Sequence, residues 1–293
     1  MTAFVNAAPR VQYHGLGEGW PHGILVASDG RTPADAALRA ARHLAPMGSF
    51  GVLSVIPSNT STTPFDARVD PTDAAEQLAL VKAQIERLFG DSVSVPIETR
   101  AGYPPAVISA YADTHESALL IVGIGRPRVL DRLSGDESAL RLVRLSRTPV
   151  LVVAEGRATP PRRVIVGMDF TPTSVEAATL ARELAAPDAG IVLAHVGTPD
   201  GRAMPELGMR RMVETLQTGF CGRITSRMLR GDPATELLSL ASEWSADALA
   251  IGMHGHGALD RVAIGPVAMR VVRCANCSVI VTPRARVRAN PDG

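Results

Sequence analysis

Aromatic residues are scarce in this chain: six Phe, three Tyr and two Trp make up 4% of its 293 residues. Hydrophobic residues still reach 46%, so the composition supports a packed core, built from Val, Leu, Ile and Ala rather than from rings. Cysteine is scarcer: Cys221, Cys274 and Cys277 are too few and too unevenly spaced for the disulfide framework of a small secreted protein. No excess of one charge exists, with 30 Lys and Arg against 29 Asp and Glu. The basic residues are interspersed, which argues against nucleic acid as a partner. The short basic tail Arg284, Arg286 and Arg288 reads as solvated. No stretch approaches the roughly 18 apolar residues of a membrane helix, so no membrane partner is expected. The first 22 residues lack the apolar run of a signal peptide, and a soluble cytoplasmic protein is expected.

What is present is a repeat. ILVASDGRTPADAALRAARHL, from Ile24, matches VIVGMDFTPTSVEAATLAREL, from Val164: an apolar strand, an Asp, a turn and an Ala-rich helix. Asp29 aligns with Asp169 and Arg42 with Arg182 at an offset of 140. Gly102 and Pro104 align with Gly231 and Pro233 at 129, as does Leu130-Asp131-Arg132 with Leu259-Asp260-Arg261. The drop from 140 to 129 means eleven extra residues in the first copy, expected in the Ser/Thr/Pro-rich stretch 57–73.

Within each copy, runs of Val, Ile and Leu alternate with helical segments, the signature of a parallel sheet covered on both faces. In the second copy the strands are VIVGM, IVLAHV, ITSRML, ALAIGM and SVIVTP. Helices are expected from Thr173 to Leu184, through Met209 to Thr218, from Pro233 to Trp244 and from Pro266 to Cys274. The expected division is a tail 1–22, a first domain 23–155, a linker 156–163, a second domain 164–283 and a tail 284–293. The last strands, VLVVA (150–154) and SVIVT (278–282), are short and apolar. An exposed edge of that kind pairs with another strand, and the other copy's last strand is the nearest candidate. That pairing would make a pseudo-twofold dimer within one chain.

The segment IGMHGHGALDRVAIGPVAMRVV, 251–272, leaves the fourth strand and feeds a helix, where amides and the helix dipole favour an anion. Its Gly252, Gly255 and Gly265 let backbone N–H groups approach closely. The spacing resembles the G-x2-G-x9-G-(S/T) loop of the universal stress proteins. The strand-Asp openings at Ile24 and Val164, the G-x-P of both copies and the closing CSVIVTP are similar to that family too. The resemblance runs from about 23 to 283, in tandem. It implies α/β architecture: two Rossmann-like domains of the adenine nucleotide α-hydrolase type, each a five-stranded parallel sheet flanked by helices. It also implies an adenine nucleotide (ATP, ADP or AMP) at the carboxyl ends of the strands, with Mg only where nucleotide is bound. By the resemblance Asp169 lies near adenine or ribose with Gly167 and Met168 beside it. Val196 lines the adenine, and Ile251, Gly252, Gly255, Gly265 and Val267 contact phosphate and ribose.

Pro266 departs from the pattern, standing where the nucleotide-binding members carry Ser or Thr. It removes a hydroxyl and an N–H, about 1 kcal/mol each, or one to two orders of magnitude in phosphate affinity. It also suits the first position of a helix. The first copy departs further, with Arg126 and Asp136 at the second and third glycine positions and a capping box Ser134-x-x-Glu137. Nucleotide is therefore expected, if anywhere, in the second copy.

His254 and His256 near Asp260 read as loop or phosphate-facing residues rather than metal ligands, because a metal needs more donors. Cys274-x-x-Cys277 falls at a helix end, where no dipole activates a thiol, and reads as apolar packing. G-x-S-x-G is absent and nothing compels an enzyme. Three readings stay open: a stress-response regulator that binds adenine nucleotide and an unidentified protein partner, a nucleotide-free scaffold of the same fold, and a slow ATPase. Homodimerisation stays open as well.

Overall fold

A computed structural model describes residues 23–45, 50–58, 70–91, 93–124, 136–157, 160–197, 205–253 and 264–283. The first half runs β1 (Ile24–Ala27), a short 3-10 turn, α1 (Asp35–Leu44), β2 (Phe50–Pro57), α2 (Pro71–Phe89), β3 (Ile97–Gly102), α3 (Pro104–Thr114), β4 (Leu119–Ile124), α4 (Asp136–Leu145) and β5 (Val150–Ala154). The second repeats it: β6 (Arg163–Gly167), α5 (Pro172–Leu184), β7 (Gly190–Gly197), α6 (Pro205–Gln217), β8 (Arg223–Arg230), α7 (Pro233–Glu243), β9 (Ala248–Gly252), α8 (Pro266–Cys274) and β10 (Ser278–Thr282). Proline sets where α2, α3, α5, α6, α7 and α8 begin. Its fixed φ suits a first helical turn, whose N–H would be unpaired anyway.

The strands form one ten-stranded sheet in the order β3-β2-β1-β4-β5-β10-β9-β6-β7-β8. Pairing is parallel within each half of five, and β5 meets β10 antiparallel, with Leu151 opposite Ile280. The two apolar last strands thus cover each other's edges and create the pseudo-twofold axis. Alternation along each strand divides the core into two layers. Ile24 and Val26 face the layer of α1, α2, α5 and α6, which contains Leu38, Val81, Ala177 and Met209. Leu25 faces the layer of α3, α4, α7 and α8, which contains Val107, Leu140, Leu237 and Val271.

The extra length of the first copy is not confined to the loop. The connection 58–70 is longer than 198–204, but α2 has 19 residues where α6 has 13. Helix extension therefore takes a large share of the insertion expected in 57–73. One repeated contact is also met with its partners exchanged. Gly30, at φ +80°, comes so close to Leu80 of α2 that an added Cβ would lie 3.0 Å from that side chain. At the matching turn Phe170, at φ +62°, lays its ring against Gly208 of α6. Each half places one bulky and one small residue there, on opposite elements.

Candidate functional site

Strands β6 and β9 are neighbours, and the chain runs from β6 to β7 on one side and from β9 to β10 on the other, so the connections part in opposite directions at their carboxyl ends. That is the topological switch point, where an open parallel sheet leaves a crevice. Register places Val166 beside Ala250 and Gly167 beside Ala194. Gly167, Met168 and Asp169 therefore stand between Ile251–Gly252 and the end of β7, two residues past Ala194 at Val196.

Asp169 builds the turn into α5. Its Oδ1 accepts from the Thr171 N–H at 3.0 Å and from the Thr171 hydroxyl at 2.6 Å. Thr171 then caps α5 by accepting from the Ser174 N–H at 3.3 Å. Asp29 makes the matching turn in the first half, accepting from the Arg31 N–H at 3.0 Å. The repeated aspartate is thus first a turn former in both halves. The Met168 side chain is buried in the α5/α6 layer, its N–H donates to Ala194 O, and its carbonyl lies 2.7 Å from His195 Nδ1. The His195 ring stands 5.3 Å from that of Phe170, tilted by 41°.

Gly252 ends β9 against the start of α5. A Cβ there would sit 2.5 Å from Thr173 Oγ1 and 2.9 Å from the Ser174 nitrogen. Gly123, its equivalent on β4, is tighter: a Cβ would meet the Pro33 carbonyl at 2.0 Å. Close approach of strand to helix start requires both glycines, whatever binds nearby. Thr282 is wholly buried and donates to Thr173 O at 2.7 Å, fixing the end of β10 to the same helix start.

The glycine loop has a closed neck. Met253 donates to Thr282 O, and the Gly265 N–H donates to Met253 O, both at 2.8 Å. Chain that leaves at 253 therefore returns at 265 beside the carboxyl ends of β6 and β9. Gly265 is the N-cap of α8 and Pro266 its first residue, so the helix-start role expected of Pro266 is met. Among the described residues no side chain caps α8, and no acidic residue stands in its first turn. Helix geometry gives the amides of Val267 and Ala268 no intrahelical acceptor, and the dipole adds partial positive charge there. Pro266 has no amide and that of Gly265 serves the neck, so this helix start offers an anion two donors rather than four.

Of the residues expected at a site, Gly167, Met168, Asp169, Val196, Ile251, Gly252, Gly265 and Val267 lie on one carboxyl edge. Ile251 is buried, while Val196 and Val267 are half-buried against the α7/α8 layer. Gly255, His254, His256, Asp260, Arg126 and Ser134 lie outside the described residues, as does the Glu137 side chain. Sequence reading missed Met253, His195, Phe170 and the Thr171/Ser174 cap. The T-x-x-S spacing after Asp169 announces the last; only the fold reveals the others. Cys277 is buried in the apolar layer and burial pushes its thiol up to about 11, in keeping with the apolar packing expected of it, whereas Cys274 is exposed at the end of α8 and does not share that packing.

The sequence model of the universal stress protein family matches residues 22–154 and 222–283. The chain is similar to a universal stress protein of Mycolicibacterium smegmatis, 26% identical over 291 residues, covering 90% of this chain and 98% of that one. Among solved structures it is similar to a universal stress protein from Archaeoglobus fulgidus, with a TM-score of 0.65, 17% identity and coverage of 90% and 99%. A putative universal stress protein from Pseudomonas aeruginosa gives a TM-score of 0.60 at 17% identity, covering 89% and 92%.

Proposed function

Because the chain belongs to the universal stress protein family, with two such domains in tandem, we propose that its second half binds one adenine nucleotide and reports its occupancy to a protein partner. The observation that carries this reading is the closed neck between Met253 and Gly265, which returns the start of α8, without a side-chain cap among the described residues, to the carboxyl end of β9 next to β6. The Asp169 turn and the end of β7 at Val196 are positioned for the base and ribose. The amides of Val267 and Ala268 would donate to phosphate, and Gly255 would join them by the family resemblance. Any Mg would arrive with the phosphates.

One site per chain is the expected stoichiometry. In the first half the corresponding turn is tied down by the chain's own α2: Gln77 donates to Asp29 O at 3.0 Å and Gln84 to Arg31 O at 2.8 Å. Function is then occupancy-dependent rather than chemical. A nucleotide held between the Asp169 turn and the glycine loop changes the surface presented to a partner.

A second reading, a nucleotide-free scaffold, is favoured by a specific observation. Asp29 and Asp169, and Gly123 and Gly252, have full structural explanations in both halves alike. The discriminating experiment is to denature freshly purified chain and chromatograph the supernatant for adenine nucleotides, then titrate stripped protein with ATP, ADP and AMP plus Mg. About one nucleotide per chain, lost in Asp169→Ala and Gly255→Glu, supports the proposal. No nucleotide and no heat of binding leaves the scaffold. Mg-dependent phosphate release that disappears with the same substitutions marks a slow ATPase.

A further inference from the structure

The two outer edges of the sheet are finished differently. At one end β3 is six residues long, and its charges are used locally: Glu98 pairs with Arg100 and accepts from the Tyr111 hydroxyl. At the other end β8 is eight residues long and stays in register with β7 from Arg223 to Arg230. No strand of this chain lies beyond β8 among the described residues, so alternate N–H and C=O groups along its outer side face solvent. Arg223, Ser226, Arg227, Met228 and Arg230 are exposed, and none of these three arginines makes an ion pair among the described residues. Helix α6, which packs on β8, adds exposed Arg210 and Arg211.

Alternation fixes where the charges point. Ile224 enters the α5/α6 layer, so Arg230 shares that face, while Leu229 joins the α7/α8 layer with Arg223 and Arg227 on its side. Positive charge thus flanks the free edge on both faces of the sheet. A second copy of β8 brought edge to edge would set arginine against arginine, which is unfavourable. An extended acidic strand meets the opposite situation: its backbone completes the ladder while its carboxylates reach arginines on either face.

The geometry points to β8 as a docking edge for an extended acidic peptide segment of a partner protein, added to the sheet as a further strand. This surface is independent of the nucleotide reading. The test uses the full chain and a fluorescent peptide of about ten residues alternating Glu-Glu with Thr-Thr, which puts carboxylates on both faces of an extended strand, followed by anisotropy and by amide hydrogen exchange. Saturable binding is expected, weakened about ten-fold or more in the double variant R227E/R230E, together with slowed exchange in β8. The wild-type chain is not expected to bind the peptide in which Lys replaces Glu. Three results overturn the proposal. One is no saturable binding, which leaves the arginines as protection of a bare edge. Another is undiminished binding of a peptide N-methylated at alternate residues, which makes the contact charge alone. The last is tighter binding of a single-stranded oligonucleotide of equal charge, which makes this a nucleic-acid surface.

Discussion

At the scale of single residues, each half has a glycine at or next to the end of its fourth strand, against the entry to its first helix. Gly123 faces the Pro33 carbonyl and Gly252 faces Thr173 and Ser174, at separations no Cβ tolerates without movement. Gly123→Ala and Gly252→Ala are each expected to cost about 1–3 kcal/mol in urea unfolding, with Gly123→Ala the worse because it meets backbone. An unchanged midpoint in Gly252→Ala would return that glycine to a purely ligand-facing role. Pro266 invites the opposite change. Pro266→Ser gives the start of α8 back an N–H and a hydroxyl while keeping the helix. Stability should hardly move, and ATP should bind about ten-fold tighter or better by calorimetry. Equal affinity in the two proteins would mean that the terminal phosphates sit away from α8.

At the scale of elements, the halves join their first and second helices by different chemistry. In the first, Gln84 of α2 donates to Asp35 Oδ1 at 2.7 Å and accepts from the Ser28 hydroxyl at 2.6 Å, while Arg87 donates to the same Asp35 oxygen at 2.8 Å. In the second, the corresponding region between α5 and α6 is filled by Met168, Val175 and Met212, all in or against the apolar layer. Gln84→Met alone strands a buried hydroxyl and weakens the support of a buried carboxylate, an expected loss of about 1–3 kcal/mol. The triple change with Ser28→Met and Asp35→Val imitates the second half and should recover most of that loss in the same urea titration. The network also sets a pH dependence. Burial pushes the Asp35 carboxyl up, but the hydrogen bonds from Arg87 and Gln84 outweigh it and hold the group below its ordinary 3.8. A carboxyl held low in the folded chain stabilises above its unfolded pKa, and that contribution is lost as pH falls through the folded value. Stability should therefore decline more steeply below pH about 4 in the native chain than in the triple variant. Matching the repeats by identity finds Asp29 with Asp169, but it passes over Gly30 with Leu80 against Phe170 with Gly208. In such exchanges both members change, and only the contact itself is repeated. For the same reason the sequence spacing marks Gly265 as a phosphate contact, whereas the fold places its N–H on Met253 O.

At the scale of the whole molecule, two short apolar strands that no single domain could leave bare make the junction. That much is legible in 150–154 and 278–282, because such strands need a partner and each lies nearest the other. The relative direction of the two strands is not legible there; it is antiparallel, with Leu151 opposite Ile280. With the halves reversed, the carboxyl edge of β1 and β4 faces away from that of β6 and β9. The Asp29 and Asp169 turns therefore stand at opposite ends of the molecule, and a nucleotide at the second cannot touch the first. Coupling between the halves runs through β5 and β10 and through the contact of α4 with α8 beside them. If that junction is the main bond between them, a protease site inserted after Gly156 and then cut should leave two fragments that still co-elute and unfold in one transition. Ile280 is fully buried, and Ile280→Asp sets an unpartnered carboxyl against Leu151, at a cost of several kcal/mol. The cut chain carrying it should separate into halves on gel filtration while the uncut chain stays whole. Separation of the cut chain without the substitution would show instead that the linker, and not the strand pair, keeps the two halves in one sheet.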